Sequence, residues 1–352
     1  MSVVGARPQF IKAWPLSRAL RFSNTINEIF VHTGQHYDDL MSDVFFRDLD
    51  LPKPDFNLGV GSGKHGAQTG LMLEKLEELM AEIKPAIVIV FGDTNSTLAG
   101  ALAAAKLQIP IAHVEAGMRC GDRFMPEEIN RIATDRLTSL FFCPTENAVE
   151  NLSSEGIRTN VHFTGDLMAD SFHEIRENAM RNSEILKSSG LQLKNYILLT
   201  IHRAENTDSI EKLESIFAGC RVADKKIVFP AHPRTRKALT SLRLPANFDL
   251  IDPVSYSDMV ALESSAYRII TDSGGVQKEA YLAGVPCLTL RDKTEWPETV
   301  ESGWNLLVGS DEKQIRNGIN NFSPSGERKD IFGPGGAAER ISSIILDFLG
   351  VC

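Results

Sequence analysis

Short apolar runs, most of them closing on glycine, histidine or a charged residue, recur along the whole chain, with longer amphipathic stretches between them. In the first half the runs are EIFVHTG, PAIVIVFGD, IPIAHVEAG, LFFCPT and VHFTGD. In the second they are YILLTIHR, KIVFPAHP, FDLIDPV, YRIITDSGG, PCLTLRD and WNLLVG. Helix-compatible segments such as GAQTGLMLEKLEELMAEI and NSTLAGALAAAKL lie between them. A strand apolar on both alternating sides is buried on both faces, which requires a parallel sheet covered by helices above and below. The pattern occurs twice without a close sequence repeat. The expected fold is therefore α/β, with two Rossmann-like domains. The length of 352 residues agrees, since domains typically hold about 100–200 residues. The polar stretch 171–195 is the expected linker. Residues 1–170 form the expected first domain and 171–336 the second, with AAERISSIILDFL as a final amphipathic helix.

Composition narrows the function. Net charge is −9 and there is no lysine-arginine block, so neither nucleic acid nor an anionic membrane is an expected partner. Five scattered cysteines without a CxxC pattern point to reduced thiols in a cytoplasmic protein, not to disulfides or a zinc site. No apolar run reaches the roughly 18 residues of a membrane span. MSVVGARP leaves the first strand about four residues, so a native N-terminus slightly upstream is expected.

The ionisable residues collect at the predicted strand ends. Asp93 follows VIVFG, Glu115 follows IAHV, and His202 ends LLTIH. His232 follows VFPA, Asp272 follows YRIIT, and Arg291 follows CLTL. Doubly wound sheets bind ligands at the carboxyl ends of their strands, and two side by side leave a cleft there. In TDSGGVQKEA, Ser273, Gly274 and Gly275 stand between a strand and a helix, where free N–H groups favour an anion. A plain N-cap serine with a tight turn explains the same residues. Glu279, farther along that helix, is placed to accept from ribose hydroxyls. Arg7 and Lys12 in GARPQFIK are placed to reach a diphosphate, although Lys12 also reads as a solvated helix residue. No GxGxxG fingerprint with its acidic partner is present, so no nicotinamide cofactor is expected. The stretch HVEAGMRCGDRFMPEEINR, His113 to Arg131, brings Glu127 and Glu128 to a helix start after Pro126. Both read as helix-start acids favoured by the dipole; for Glu127 a proton-transfer role is as good a reading.

These motifs together resemble the non-hydrolysing UDP-N-acetylglucosamine 2-epimerases. The matching stretches are GARPQFIKAWPL, TGQHYDDLM, FGDTNSTLAGALAA, HVEAGMR, MPEEINR, PTE, TIHRAEN, HPRTR, DSGGVQKEA, GVPCLTLRDKTEWPE and GWNLLVG, in order from Gly5 to about Gly309. GARPQF, GVGSGKHGAQTG and RDKTEWPETVE are most similar to the branch containing UDP-2,3-diacetamido-glucuronate 2-epimerases. The resemblance implies a glycosyltransferase-B fold whose last helix, 337–352, returns to the first domain. It implies a cytoplasmic homodimer that acts on a UDP-sugar without NAD or an essential metal. It also implies Asp93, Glu115 and Glu127 as acid/base carboxylates and His202 as an essential histidine. Arg7, Lys12, His232, Ser273, Gly274, Gly275, Glu279 and Arg291 match UDP-binding positions.

Two departures stand out. Some members bind a second UDP-N-acetylglucosamine as activator, near Gln35 and His36 and an arginine on the following helix. Here Leu71 holds the arginine's place. Pro334 stands where members commonly carry Asp.

The chemistry implied is C2 epimerisation of a UDP-N-acetylhexosamine, UDP-N-acetylglucosamine to UDP-N-acetylmannosamine, supplying cell-surface polysaccharide precursors. UDP-2,3-diacetamido-glucuronate is the alternative substrate, for which Arg119 and Arg123 are candidate cations. A glycosyltransferase of the same fold is the alternative of another class. The C2 proton has no adjacent carbonyl to acidify it. Eliminating UDP to a 2-acetamidoglucal and adding it back after protonation on the other face avoids redox chemistry. That route needs a diphosphate clamp and two positioned acid/base groups.

Overall fold

Every residue from β1 to β13 that lies in a strand pairs in parallel, and the strands fall into two sheets. The computed structural model describes all residues except 24, 36–52, 232, 240, 241, 243 and 352. The chain divides into two compact units, Met1–Ser171 with Asp330–Cys352, and Phe172–Lys329. The division falls inside the helix Leu167–Asn182, so the polar linker stretch is itself largely helical.

In the first unit the strands are β1 (Ser2–Val4), β2 (Phe30–His32), β3 (Phe56–Asn57), β4 (Val88–Phe91), β5 (Ile111–Val114), β6 (Leu140–Cys143) and β7 (Val161–Phe163), ordered β3-β2-β1-β4-β5-β6-β7. Val3, Val31, Val88, Val90 and Ile111 pack with Met72, Leu76 and Met80 of the helix His65–Ile83. The alanine-rich helix Asn95–Lys106 lies close against the sheet, because a side chain at Gly100 would meet Val90 and Val3. Residues 330–336 group with this unit: Phe332 is buried and its carbonyl accepts from the Asp166 N–H at 3.0 Å. The final helix Ala337–Leu349 also belongs here. Its first turn is capped by Asp170, whose Oδ2 accepts from the Ala338 N–H at 3.0 Å. Pro334 in the preceding loop therefore leaves the helix start satisfied.

In the second unit the strands are β8 (Tyr196–Thr200), β9 (Lys226–Pro230), β10 (Phe248–Ile251), β11 (Arg268–Thr271), β12 (Cys287–Thr289) and β13 (Asn305–Leu307), ordered β10-β9-β8-β11-β12-β13. Ile197, Leu199, Ile227, Phe229, Ile270 and Leu288 build its core with Leu213, Ile216 and Phe217 of the helix Ile210–Cys220.

Each sheet reverses its order of winding once, between β1 and β4 in the first unit and between β8 and β11 in the second. Connections leave such a pair of strands in opposite directions and open a crevice at their carboxyl ends. Asp93 follows β4; His202 follows β8 and Asp272 follows β11.

Candidate functional site

The first unit gathers its carboxylates at the ends of the neighbouring strands β4 and β5. Glu115 follows β5 with φ +69°, a conformation that a non-glycine residue adopts at a cost of about 1–2 kcal/mol. Its carboxylate pairs with Lys12 of the helix Arg7–Phe22, and both side chains are largely buried. They line a small pocket with Phe142, Thr164 and Asp166, about 10 Å³ in size, the room of a single water. Lys12 is thus engaged with an acid/base candidate.

Asp93 is held by Arg131 Nη1, and its carbonyl accepts from Asn130 Nδ2 at 2.9 Å. Both partners lie on the helix Pro126–Leu137, whose first turn carries Glu127 and Glu128. The two glutamates part company there. Glu128 is buried; it accepts from the N–H groups of Cys120 and Gly121 and pairs with Arg131 at 3.0 Å. Burial opposes its ionisation, but these hydrogen bonds and Arg131 hold the carboxyl below its ordinary value. It pins the loop before the helix. Glu127 is half-buried and has no hydrogen-bond or ion-pair partner among the described residues.

Beneath the loops lies a charged chain. His113 donates from Nε2 to the Gly92 carbonyl at 2.8 Å and pairs through Nδ1 with Asp135 at 2.7 Å. Asp135 also meets Arg119 at 2.8 Å, and Arg119 is bound by Glu155 at 2.7 Å. Burial would raise the Asp135 carboxyl, but His113 and Arg119 draw it below its usual range. Arg119 is committed to these two carboxylates; Arg123 is exposed. At Gly117, φ is +78° and a Cβ would stand 2.3 Å from the Ala148 carbonyl, so the turn between Glu115 and Arg119 requires glycine.

Gln35 is buried, and its Oε1 accepts from the Ser96 N–H and hydroxyl at 2.9 and 2.7 Å. Leu71 is an exposed residue of the helix His65–Ile83. His36, His232 and the Arg7 side chain lie outside the described residues. Gln9, not singled out in the sequence, accepts from the N–H groups of Gly5 and Ala6 and donates to the Phe91 carbonyl. It thereby ties the turn after β1 to the end of β4.

In the second unit Ser273 caps the helix Gly274–Ala283, and its Oγ accepts from the Val276 N–H. Gly275 lies in the first turn. A Cβ at Gly274 would stand 1.9 Å from Glu295 Oε1, so the carboxylate of Glu295 rests directly on the backbone of that turn. Arg291 Nη1 meets the same carboxylate at 2.6 Å and Arg203 at 3.8 Å. An anion and two guanidinium groups therefore already meet at the helix start where the sequence places a phosphate. Glu279 is buried and accepts from the Tyr256 hydroxyl at 2.6 Å. His202 is about half exposed (52%) and its Nδ1 lies 3.1 Å from Asp272. Burial would raise the Asp272 carboxyl, but donors from His202, Asn206 and the Arg203 N–H hold it below its usual value. A wider, open hollow of about 350 Å³, bordered by Glu211, Asp292 and Asp311, includes none of the site residues.

No helix among the described residues is long and apolar enough to cross a membrane. Among them, no group of three His, Cys, Asp or Glu side chains is arranged to hold a metal.

The sequence profile of the family described as UDP-N-acetylglucosamine 2-epimerase matches residues 18–346. The chain is 50% identical to a Methanococcus maripaludis UDP-N-acetylglucosamine 2-epimerase homolog, over 98% of each sequence. It is 44% identical to the Pseudomonas aeruginosa UDP-2,3-diacetamido-2,3-dideoxy-D-glucuronate 2-epimerase, again over 98% of each. The crystal structure of Methanocaldococcus jannaschii UDP-GlcNAc 2-epimerase in complex with UDP-GlcNAc and UDP superposes with a TM-score of 0.92. It is 43% identical and covers 98% of this chain and 99% of that one.

Proposed function

The chain belongs to the UDP-N-acetylglucosamine 2-epimerase family, and from that premise we propose that it epimerises C2 of a UDP-N-acetylhexosamine, converting UDP-N-acetylglucosamine to UDP-N-acetylmannosamine. The observation that carries the reading is the pair of ionisable clusters at the two points where the sheets reverse their winding. One is rich in carboxylates and the other in cations and helix N–H groups.

The second unit holds UDP. Ser273, Gly274, Gly275 and Arg291 receive the diphosphate, Glu279 takes ribose hydroxyls, and His202 faces the nucleotide. Arg7, Lys12 and His232 complete the nucleotide contacts by their match to family positions. In the first unit Asp93, Glu115 and Glu127 serve as acid and base. A base removes the C2 proton as the C1–O bond to UDP breaks, leaving 2-acetamidoglucal and UDP. A proton is then delivered to C2 from the opposite face, and UDP re-forms the bond at C1. The clamp stabilises the charge of the departing diphosphate. The carboxylates supply what the unactivated C2–H lacks, a positioned group on each face.

Incubation with UDP-N-acetylglucosamine in D2O tests this. The expected product is an intact UDP-linked 2-epimer with deuterium at C2. A product that retains protium there would exclude the elimination route, and free N-acetylmannosamine would mark a hydrolysing enzyme.

A second substrate reading has its own support, the 44% identity to the diacetamido-glucuronate epimerase over 98% of both chains. Parallel kcat/KM measurements with the two nucleotides decide between them. We extend the proposal to a homodimer working in the cytoplasm on polysaccharide precursors, with light scattering as the check on its assembly.

A further inference from the structure

Four donor contacts converge on the fully buried carboxylate of Asp272. The N–H of His202 lies 3.1 Å from Oδ1, and those of Arg203 and of the Asn206 amide each lie 3.1 Å from Oδ2. The fourth is the His202 ring, with Nδ1 3.1 Å from Oδ1. An ionised carboxylate only accepts hydrogen bonds. A neutral His202 must therefore carry its proton on Nδ1, and its lone pair on Nε2. Nε2 has no partner among the described residues.

The location gives this pairing a consequence. Asp272 ends β11 and His202 follows β8, the two strands that flank the reversal of the second sheet. Asp272 also immediately precedes Ser273, the cap of the helix that receives the diphosphate. One carboxylate thus fixes the His202 ring, the backbone of the His202–Arg203 turn and the entry to the helix.

We propose that Asp272 is a positioning residue that locks His202 as the Nδ1–H tautomer and leaves Nε2 as a hydrogen-bond acceptor for a hydroxyl of the bound nucleotide sugar. The inference rests on the reading of His202 as a nucleotide-facing residue, but the tautomer itself is measurable without turnover.

The experiment is a long-range proton–nitrogen correlation spectrum of the histidine rings in the full-length protein at pH 8, with His202 assigned by its loss in His202→Asn. Expected is a protonated Nδ1 and a bare Nε2 for His202. In Asp272→Asn the tautomer should shift or mix. Its kcat should fall by about 10²-fold or more, as when the carboxylate that orients a histidine is amidated in other enzymes, a larger factor than any accompanying rise in the Kd for UDP. A wild-type His202 protonated on Nε2 overturns the proposal, as does an Asp272→Asn enzyme with wild-type kcat. Should Asp272→Asn fail to fold, the wild-type spectrum alone decides. An Nδ1–H His202 in a protein without epimerase activity would sustain the pairing and refute the assigned reaction instead.

Discussion

Glu295 shows at the scale of one residue how a ligand-free site can satisfy itself. Its carboxylate rests on Gly274, bonds Arg291 at 2.6 Å and stands 3.8 Å from Arg203. An incoming diphosphate brings negative charge to the same N–H groups and cations, so the two anions compete. Replacing Glu295 with Gln removes the competing charge and releases Arg291. UDP should then bind about tenfold tighter, the equivalent of ~1.4 kcal/mol, by titration calorimetry. Weaker binding in the variant would make Glu295 part of the nucleotide site itself. Arg291, Ser273 and Gly274 were all recognisable from the sequence by residue type and by place between strand and helix. Glu295 was not, because nothing local signals that its side chain folds back over a glycine 21 positions earlier. The pairings of Asp272, itself recognisable at a strand end, and of Asp135 leave no local signal for the same reason. Their partners, His202 and His113, are 70 and 22 positions away, and side-chain pairing at such distance leaves no periodic trace.

The elements themselves were far more legible. All eleven apolar runs are strands, since burial on both sheet faces writes a continuous signal into the chain. The exception is β3, two exposed residues, Phe56–Asn57, that join the sheet edge beside β2 with no apolar run behind them. The helix Pro126–Leu137 is a different exception, because its buried face is polar: Glu128, Arg131 and Asp135 are all nearly inaccessible. It docks through ion pairs and so answers to pH. Glu128 and Asp135 are both held below their ordinary values of 4.5 and 3.8 in the folded protein, against the burial that opposes their ionisation, Glu128 by backbone N–H groups and Arg131 and Asp135 by His113 and Arg119. A depressed folded pKa contributes stability that is complete above the unfolded value and lost as pH falls through the folded one. Thermal unfolding monitored from pH 7 to pH 3 should therefore show a loss of stability setting in below about pH 5. The double variant Glu128→Gln, Asp135→Asn should be less stable at pH 7 yet lose less on acidification. An equal acid slope in both proteins would count against these two groups. The helix carries Glu127 in its first turn and Arg131 against Asp93, so activity is expected to decline across the same pH range.

For the molecule as a whole, the first unit is assembled from both ends of the chain, while the second is a single continuous insertion between them. The sequence carried the doubly repeated architecture openly; where the chain re-enters the first unit is set by packing that no repeat announces. Phe332, Ile341 and Ile345 are buried in the returning segment, Arg340 donates to the Thr164 carbonyl at 2.7 Å, and Asp170 caps the final helix. Burying these three apolar side chains contributes roughly 5–9 kcal/mol at the usual value per residue, an upper figure because an unfolded chain already hides part of its apolar surface. Whole domains are stable by only about 5–15 kcal/mol. A chain ending at Lys329 should therefore retain a folded second unit and lose the first. Hydrogen exchange separates the cases: protection should persist in β8, β11 and β12 and collapse in β1, β4 and β5. The truncated protein should still bind UDP through the Ser273 helix but fail to exchange deuterium into C2, because the carboxylates Asp93 and Glu115 stand on strands that no longer form. Persistent protection in β4 and β5 would mean that the first sheet holds together without its returning helix.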